Sequence, residues 1–248
     1  MRIPFEPYLF GIKINIHLIL EYLAFFCSYR YYKYLRSKEV DHIGDNNRLS
    51  IIIGAAAGAY LGSRVVGLLE NPLLVMNEKS IIDILNSKTI MGGLFGGLMG
   101  VEIAKKIIGE RNSSGDLFTF PIILGIFIGR IGCFLSGTKE FTYGIQTQFP
   151  LGMNLGDNVN RHPIALYELI YLLVLFIVLQ RVKNANFHLK KGTLFKLFMI
   201  CYFGFRFIIE FIKPNTFFIA HLSSIQWLCL ICWAYYYKIF TNPIRHAH

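Results

Sequence analysis

The sequence predicts an all-α protein that crosses a lipid bilayer several times and forms a single domain over residues 1–248. Hydrophobic residues make up 54% of the chain and charged residues only 16%, whereas the surface of a soluble domain carries more charge. Seven separate apolar segments approach the roughly 20 residues that a membrane helix needs. The segments lack the alternation of lipid-facing and inward-facing residues that is typical of barrel strands, so helices are the way to satisfy their backbone in lipid.

The seven predicted transmembrane helices follow one another with mostly short connections. We predict them at residues 16–35, 51–69, 89–108, 117–136, 163–182, 193–212 and 222–240. The longest connection, residues 137–161, is polar and rich in glycine but carries few charges. Because apolar segments flank it on both sides, we interpret it as a loop inserted into the bundle between the fourth and fifth spans, not as a second domain.

Glycines recur every four residues in the second and third spans, at Gly54, Gly58, Gly62, Gly92, Gly96 and Gly100. Such a stripe lets two helices approach closely in lipid, where small residues dominate helix contacts. Glycine also lets a lipid headgroup reach the backbone. The sequence leaves both interpretations open, and we therefore include Gly96 and Gly97 among the candidate lipid-binding residues.

The distribution of basic residues predicts an orientation. The formal net charge is +10, which in a soluble protein would indicate binding to nucleic acid. Here the basic residues lie at the ends of the spans, as expected if they set the topology and contact anionic lipid. We therefore predict no nucleic-acid partner. The connections after the odd-numbered spans, with the C-terminal tail, hold nearly twice as many Lys and Arg residues as the opposite side. We therefore predict an N-terminus outside the cell and a C-terminus in the cytoplasm of a bacterium.

Five ionisable residues lie within the predicted spans: Arg64, Arg130, Glu168, Arg206 and Glu210. Each charge costs at least about 2.5 kcal/mol near the bilayer centre, so each should face a partner or a cavity. Arg206 and Glu210 are one helical turn apart and could form an intrahelical salt bridge. Arg130 has no acid of its own at that depth, and a phosphate suits the fork of its guanidinium.

Arg161 and His162 precede Pro163, which is well placed to start the fifth span. A helix N-terminus flanked by Arg and His is a plausible anion site, although His162 could equally be a hydrogen-bonded interface residue. Three arginines at membrane depth predict that an anion is held within the bundle. A phospholipid headgroup fits this prediction, and a transporter for a small anion is the competing interpretation.

These residues lie in motifs that resemble the prolipoprotein diacylglyceryl transferase family of bacterial membrane enzymes. The stretch from Gly129 to Phe134, followed by Ser136-Gly137, is similar to its signature. Arg161-His162-Pro163 with Leu166-Tyr167-Glu168 is similar to its RHPxxLYE motif. Further similarities are Gly62 and Arg64 with Asn71-Pro72, the paired glycines from Gly92 to Gly100, and Arg206 with Glu210.

The resemblance implies a transferase that moves the diacylglyceryl group of phosphatidylglycerol, or of a similar anionic phospholipid, to the lipobox cysteine of a prolipoprotein. It implies an inner-membrane location, with the bilayer itself as a partner, and neither a metal nor an organic cofactor. Arg130 would hold the donor phosphate, and Arg206 with Glu210 would serve the reaction; we add His162 as a catalytic candidate. The candidate lipid-binding residues are Arg64, Gly96, Gly97, Arg130, Arg161 and Glu168.

Three positions depart from the family pattern, which keeps the acceptor and the proton acceptor open. The family's histidine before the second glycine pair of the third span is Phe95 here, its asparagine in the signature is Cys133, and the pair after the first-span His17 is aliphatic. The alternatives are therefore a related transferase with another acceptor, or a non-catalytic protein that binds or transports phospholipid. For the proton acceptor we rank Glu210 first and His162 second, with Glu168 as a further candidate and Cys133 as a less favoured covalent relay.

Overall fold

The computed structural model describes residues 3–39, 41, 43–70, 87–185, 190–215 and 220–237. Asn71 and Pro72, part of the predicted family motif, and residues 238–240 of the seventh predicted span lie outside these ranges. The described residues contain seven α-helices, which we number in chain order: α1 (Ile16–Lys38), α2 (Asp45–Glu70), α3 (Ile90–Ile108), α4 (Asp116–Ser136), α5 (Ile164–Asn184), α6 (Thr193–Ile209) and α7 (Ser224–Tyr235).

Short elements occupy the connections. The 3-10 helices Gly137–Lys139 and Glu210–Ile212 continue α4 and α6. The strands β1 (Tyr8–Leu9) and β2 (Ile12–Lys13) form an antiparallel pair before α1, and β3 (Met153–Asn154) pairs with β4 (Asn160–Arg161) between α4 and α5. The all-α prediction is therefore confirmed, and these two small pairs do not change the fold class.

Three helical stretches in the described residues are long and apolar enough to cross a membrane: Asp45–Glu70, Asp116–Lys139 and Ile164–Asn184. Helix α7 is apolar but has only 12 residues in the described part of the chain. Helix α6 has 17 residues, about 26 Å at 1.5 Å per residue. Helices α1 and α3 carry several charged residues near their C-terminal ends. The membrane character of the chain agrees with these apolar helices, and the seven-span topology remains a prediction.

Helices α2 and α3 pack through the glycines that the sequence singles out. A Cβ atom on Gly54 would lie 2.6 Å from Ala104 Cβ, and one on Gly96 would lie 2.8 Å from Gly62 Cα. Atoms cannot approach so closely, so these positions accept only glycine without a shift of the backbone. The close-packing interpretation of the glycine stripe is thus confirmed for these two helices.

The ends of the bundle differ in their contacts. At one end, Arg48 is buried and paired with Asp41, and it donates to the carbonyl of Ser114. Burial tends to raise the pKa of Asp41, but hydrogen bonds from Arg48 and from the Ile43 amide outweigh it and hold that pKa below its usual value. These contacts tie the α1–α2 connection to the α3–α4 connection.

The N-terminal residues and the α4–α5 connection lie at the opposite end. The amide of Phe5 donates to Leu135 O over 2.8 Å, and the amide of Ile145 donates to Ile212 O over 2.9 Å. The α4–α5 connection therefore packs on the start of α5 and the end of α6. This arrangement places the functional candidates of α4, α5 and α6 at one end of the bundle.

Candidate functional site

Glu168 is the centre of a buried charge cluster formed by α4, α5 and α6. Its side chain is fully buried, with 0% exposed. Arg130 Nε lies 2.8 Å from Glu168 Oε1, and Arg206 Nη1 donates to Glu168 Oε2 over 3.0 Å. Tyr202 OH donates to Glu168 Oε1 over 2.5 Å. One carboxylate from α5 therefore holds both arginines, which come from different helices.

Helix geometry explains why these side chains meet. Arg130 lies six residues before the end of α4 and Glu168 four residues after the start of α5, about 9 Å and 6 Å along the two helix axes. Pro163 is the residue before α5 and fixes where the helix begins. The three helices thus present their charges at similar depth near the end that carries the α4–α5 connection.

Glu210 completes the cluster from the 3-10 turn after α6. Its Oε2 accepts a hydrogen bond from Arg206 Nη2 over 3.4 Å, which confirms the pair that the spacing of four residues predicts. Two arginines and two carboxylates balance in charge, as buried ions require. Glu210 Oε1 and Arg206 Nε are nevertheless buried without a hydrogen-bond partner in the described residues. The cluster can therefore accept and donate further hydrogen bonds at these two atoms.

Arg130 is the less saturated of the two arginines. Its Nε is near Glu168, but the N–H does not point at the oxygen in hydrogen-bond geometry, so this contact is an ion pair only. Its Nη1 lies 3.6 Å from Cys133 Sγ, and its Nη2 makes no hydrogen bond with the part of the chain that the structure describes. Both terminal nitrogens of Arg206 are paired with carboxylates, so Arg130 has more N–H donors available for an anionic ligand.

The cluster continues through Cys133 to α1 and to the α4–α5 connection. Cys133 Sγ is 3.6 Å from His17 Nε2, and His17 Nδ1 is 3.5 Å from Glu140 Oε1. Sequence reasoning did not include His17 or Glu140 among the site residues. The available signal was the first-span position of His17 in the family pattern, which says nothing about Glu140 as its partner.

Other candidates lie apart from this cluster. Arg161 is bound to Asp157, with 2.6 Å between Nε and Oδ2, and this hydrogen bond holds the pKa of Asp157 below its usual value. His162 Nδ1 is 3.1 Å from Tyr167 OH. Arg64 is half-buried, and within the described ranges it contacts the carbonyl of Ser87, at 3.5 Å, and the ring of Tyr60.

The two glycines among the lipid-binding candidates have different surroundings. Gly96 lies in the contact between α2 and α3, whereas a Cβ atom on Gly97 would meet its nearest neighbours at 3.5 Å, an ordinary contact. The described residues contain no group of three or more His, Cys, Asp or Glu side chains arranged to hold a metal ion. The buried charge cluster is therefore the candidate site.

Comparison with known proteins shows the family of the chain. The family model described as prolipoprotein diacylglyceryl transferase matches residues 7–240. A phosphatidylglycerol–prolipoprotein diacylglyceryl transferase of Wolbachia sp. subsp. Brugia malayi (strain TRS) is 32% identical over 189 residues, which cover 70% of this chain and 68% of that protein. One of the same name from Finegoldia magna is 29% identical over 230 residues, covering 88% of this chain and 83% of its own. The chain belongs to the prolipoprotein diacylglyceryl transferase family.

Proposed function

We propose that this family member transfers the diacylglyceryl group of phosphatidylglycerol to the lipobox cysteine of a prolipoprotein. The curated relatives carry that activity in their names. The observation that carries the proposal to this chain is the buried cluster around Glu168, in which three helices hold two arginines and Arg130 has donors without a hydrogen-bond partner among the described residues. A phosphodiester is the anion that such a site would bind within a bilayer.

The proposed reaction needs charge stabilisation on the leaving group. The acceptor thiol attacks the glyceryl carbon that bears the phosphate ester, the carbon–oxygen bond breaks, and glycerol phosphate leaves as an anion. Arg130 binds the phosphate oxygens, while Glu168 and Glu210 orient Arg206 towards the same region. Fixed donors in a site that excludes water stabilise a developing negative charge far better than mobile water does.

The remaining candidates are proposed to contact the lipid or its headgroup outside the charge cluster. Gly97 is half-buried on α3 and Arg64 is half-buried on α2, so both could face an acyl chain or a headgroup. Arg161 and His162 belong to the connection before α5, where a leaving headgroup would reach the aqueous phase. Gly96 would act through the packing of α2 on α3.

We place this chemistry at the outer half of a seven-span protein in the bacterial inner membrane, with the N-terminus outside. The Lys and Arg asymmetry supports this orientation. Three helices in the described residues that satisfy the length and apolarity of a span support a membrane protein, and the α4–α5 connection lies at the same end of the bundle as the site. Reporter fusions at the two termini test the topology, and fusions that place both termini on one side would refute seven spans.

A second candidate function is a transfer from the same donor to a different acceptor. The charge cluster that serves the donor is intact, whereas Phe95 and Cys133 replace residues of the family pattern that lie close to the reacting groups by resemblance. These changes favour altered acceptor chemistry over loss of lipid binding. Complementation of a strain that lacks its own transferase separates the candidates, because only transfer to lipobox cysteines restores lipoprotein processing.

Release of glycerol phosphate tests whether the chain is an enzyme. The purified protein in vesicles that contain headgroup-labelled phosphatidylglycerol, supplied with a lipobox peptide, should release water-soluble label with time. A vesicle of the same composition without protein is the control. Label that stays in the lipid fraction, although the protein binds the vesicles, would indicate a carrier and refute the proposal.

A further inference from the structure

His17, Cys133 and Glu140 form a second polar group beside the arginine cluster. They come from α1, α4 and the segment after the 3-10 helix Gly137–Lys139, yet their atoms form a continuous chain of contacts. His17 Nε2 is 3.6 Å from Cys133 Sγ, and Cys133 Sγ is 3.6 Å from Arg130 Nη1. The imidazole of His17 therefore stands one side chain away from the guanidinium proposed to bind the donor phosphate.

The local backbone favours this position of His17. Asn15 caps α1 by accepting a hydrogen bond from the Leu18 amide, so His17 lies in the first turn of the helix. A Cβ atom on Gly132 would lie 3.2 Å from His17 Cδ2, closer than most side chains tolerate. The glycine of the signature thus leaves room for the imidazole to approach α4 next to Cys133.

Glu140 orients the imidazole of His17 and connects it to the aqueous surface. Glu140 Oε1 is 3.5 Å from His17 Nδ1, which leaves Nε2 on the side of the charge cluster. The His17 side chain is 16% exposed and that of Glu140 is 39% exposed, so the carboxylate connects a mostly buried base to the aqueous surface. A carboxylate that holds one imidazole nitrogen while the other faces a thiol is the arrangement used to move protons from thiols and hydroxyls.

We propose that His17 accepts the proton of the acceptor thiol in this chain and that Glu140 is the positioning residue for it. The inference rests on the proposed function. The thiol S–H bond breaks and its proton goes to His17 Nε2, while the sulfur electron pair forms the bond to the glyceryl carbon. The carbon–oxygen bond to phosphate breaks, glycerol phosphate leaves with that electron pair, and the proton on His17 then passes to water at Glu140.

The other titratable groups of the site are less free to do this. Glu168 is held by three partners. Glu210 pairs with Arg206 through Oε2 only, but it is 1% exposed and so lacks the connection to water that Glu140 gives His17. The Nδ1 atom of His162 is taken up by the hydroxyl of Tyr167. Phe95, in the position of the family's third-span histidine, has no titratable group and cannot accept a proton.

Cys133 occupies the position that the acceptor thiol would take. A thiol is a weak hydrogen-bonding group and its contact with His17 is long, so a substrate thiol can replace it at Nε2 at little cost. Cys133 is not proposed as a covalent relay, since a diacylglyceryl thioether on Cys133 would have an alkyl thiolate as its leaving group and would trap the lipid. The charged or titratable groups that face His17 are Cys133 and, behind it, Arg130 on α4, Glu140 after α4, and Glu21 one turn along α1.

The pH dependence of the His17→Gln variant tests the inference. Glycerol phosphate release is measured from pH 6 to pH 10 with a lipobox peptide as acceptor, for the wild type, His17→Gln, Glu140→Gln and the exposed control His221→Gln. We expect His17→Gln to lose about 100-fold in rate near pH 6.5, as is usual for removal of a general base. The loss should shrink to a few-fold at pH 10, because the peptide thiol, with a pKa of about 8.5, then ionises without help. Glu140→Gln should show a smaller loss with the same pH trend.

The possible outcomes separate the inference from the proposed function. A loss in His17→Gln that stays constant from pH 6 to pH 10, or no loss at all, refutes the role of His17, and a pH-dependent loss in Glu210→Gln alone assigns the base to Glu210 instead. Glu140→Gln keeps the test decisive if His17→Gln does not fold, since a rate equal to that of the wild type at every pH would overturn the proposal. If the wild type releases no glycerol phosphate, the proposed function fails first, and the inference with it.

Discussion

Replacement of Glu168 by glutamine should destabilise the protein more than any other single isosteric change in the cluster. Glutamine keeps the volume but removes the charge that faces Arg130 and Arg206, so two buried cations remain with only Glu210 to balance them. Breaking a buried ion pair by removing one partner costs about 3–5 kcal/mol. At about 2–4 °C per kcal/mol for a chain of this size, the midpoint of thermal unfolding should fall by roughly 6–20 °C.

The assay is thermal unfolding of the purified protein in detergent, with Glu102→Gln as the matched control. Glu102 also lies in a helix and has a basic partner, Lys105 at 3.8 Å, but its side chain is 47% exposed. An exposed pair contributes less than about 1 kcal/mol, so the control should unfold within about 4 °C of the wild type. Equal, small shifts in both variants would refute the idea that Glu168 holds the two arginines.

Three further predictions concern activity and packing. Arg130→Lys should lose most activity at constant protein level, because lysine keeps the charge but lacks the planar fork that binds two phosphate oxygens at once. Equal rates for both proteins would exclude a bidentate contact. Glu210→Gln and His162→Gln, measured across pH, should keep the fall in rate that the wild type shows towards acidic pH. If that fall disappears in one of these variants, the residue replaced in it is the base. Gly96→Ala should destabilise the α2–α3 contact by about 1–3 kcal/mol. In the control Gly93→Ala the new Cβ would meet its nearest atoms at 3.8 Å, so this variant should unfold at or above the wild-type temperature because alanine favours helix. A lower unfolding temperature for Gly93→Ala than for Gly96→Ala would contradict the close packing.

Local spacing made part of the site predictable. Arg206 and Glu210 are four residues apart in a helical segment, and this separation brings side chains together whatever the helix packs against. The glycine stripes at Gly58 and Gly96 predicted close helix contact for a similar reason, because a period of four residues puts them on one helix face. In both cases the structure confirms a prediction that required only the spacing of residues within a single helix.

Contacts between helices were beyond sequence reasoning. Arg130 was expected to need an external partner, but its ion pair with Glu168 depends on how α4 and α5 are rotated about their axes, which no spacing within either helix determines. The same holds for His17 and Glu140, which lie in α1 and in a connection of irregular structure. Residues far apart in sequence meet only through the tertiary arrangement, and the proton-accepting group was therefore sought at Glu210 and His162.

Mass spectrometry of a lipobox peptide measures directly whether the protein transfers a diacylglyceryl group to a cysteine. The purified protein is incubated with phosphatidylglycerol vesicles and a peptide that contains one lipobox cysteine, and a peptide with serine at that position is the control. We expect the cysteine peptide to gain the mass of one diacylglyceryl group through a thioether, while the serine peptide stays unchanged. An unmodified cysteine peptide, under conditions in which the protein binds the lipid and releases glycerol phosphate, would contradict a lipobox cysteine as the acceptor.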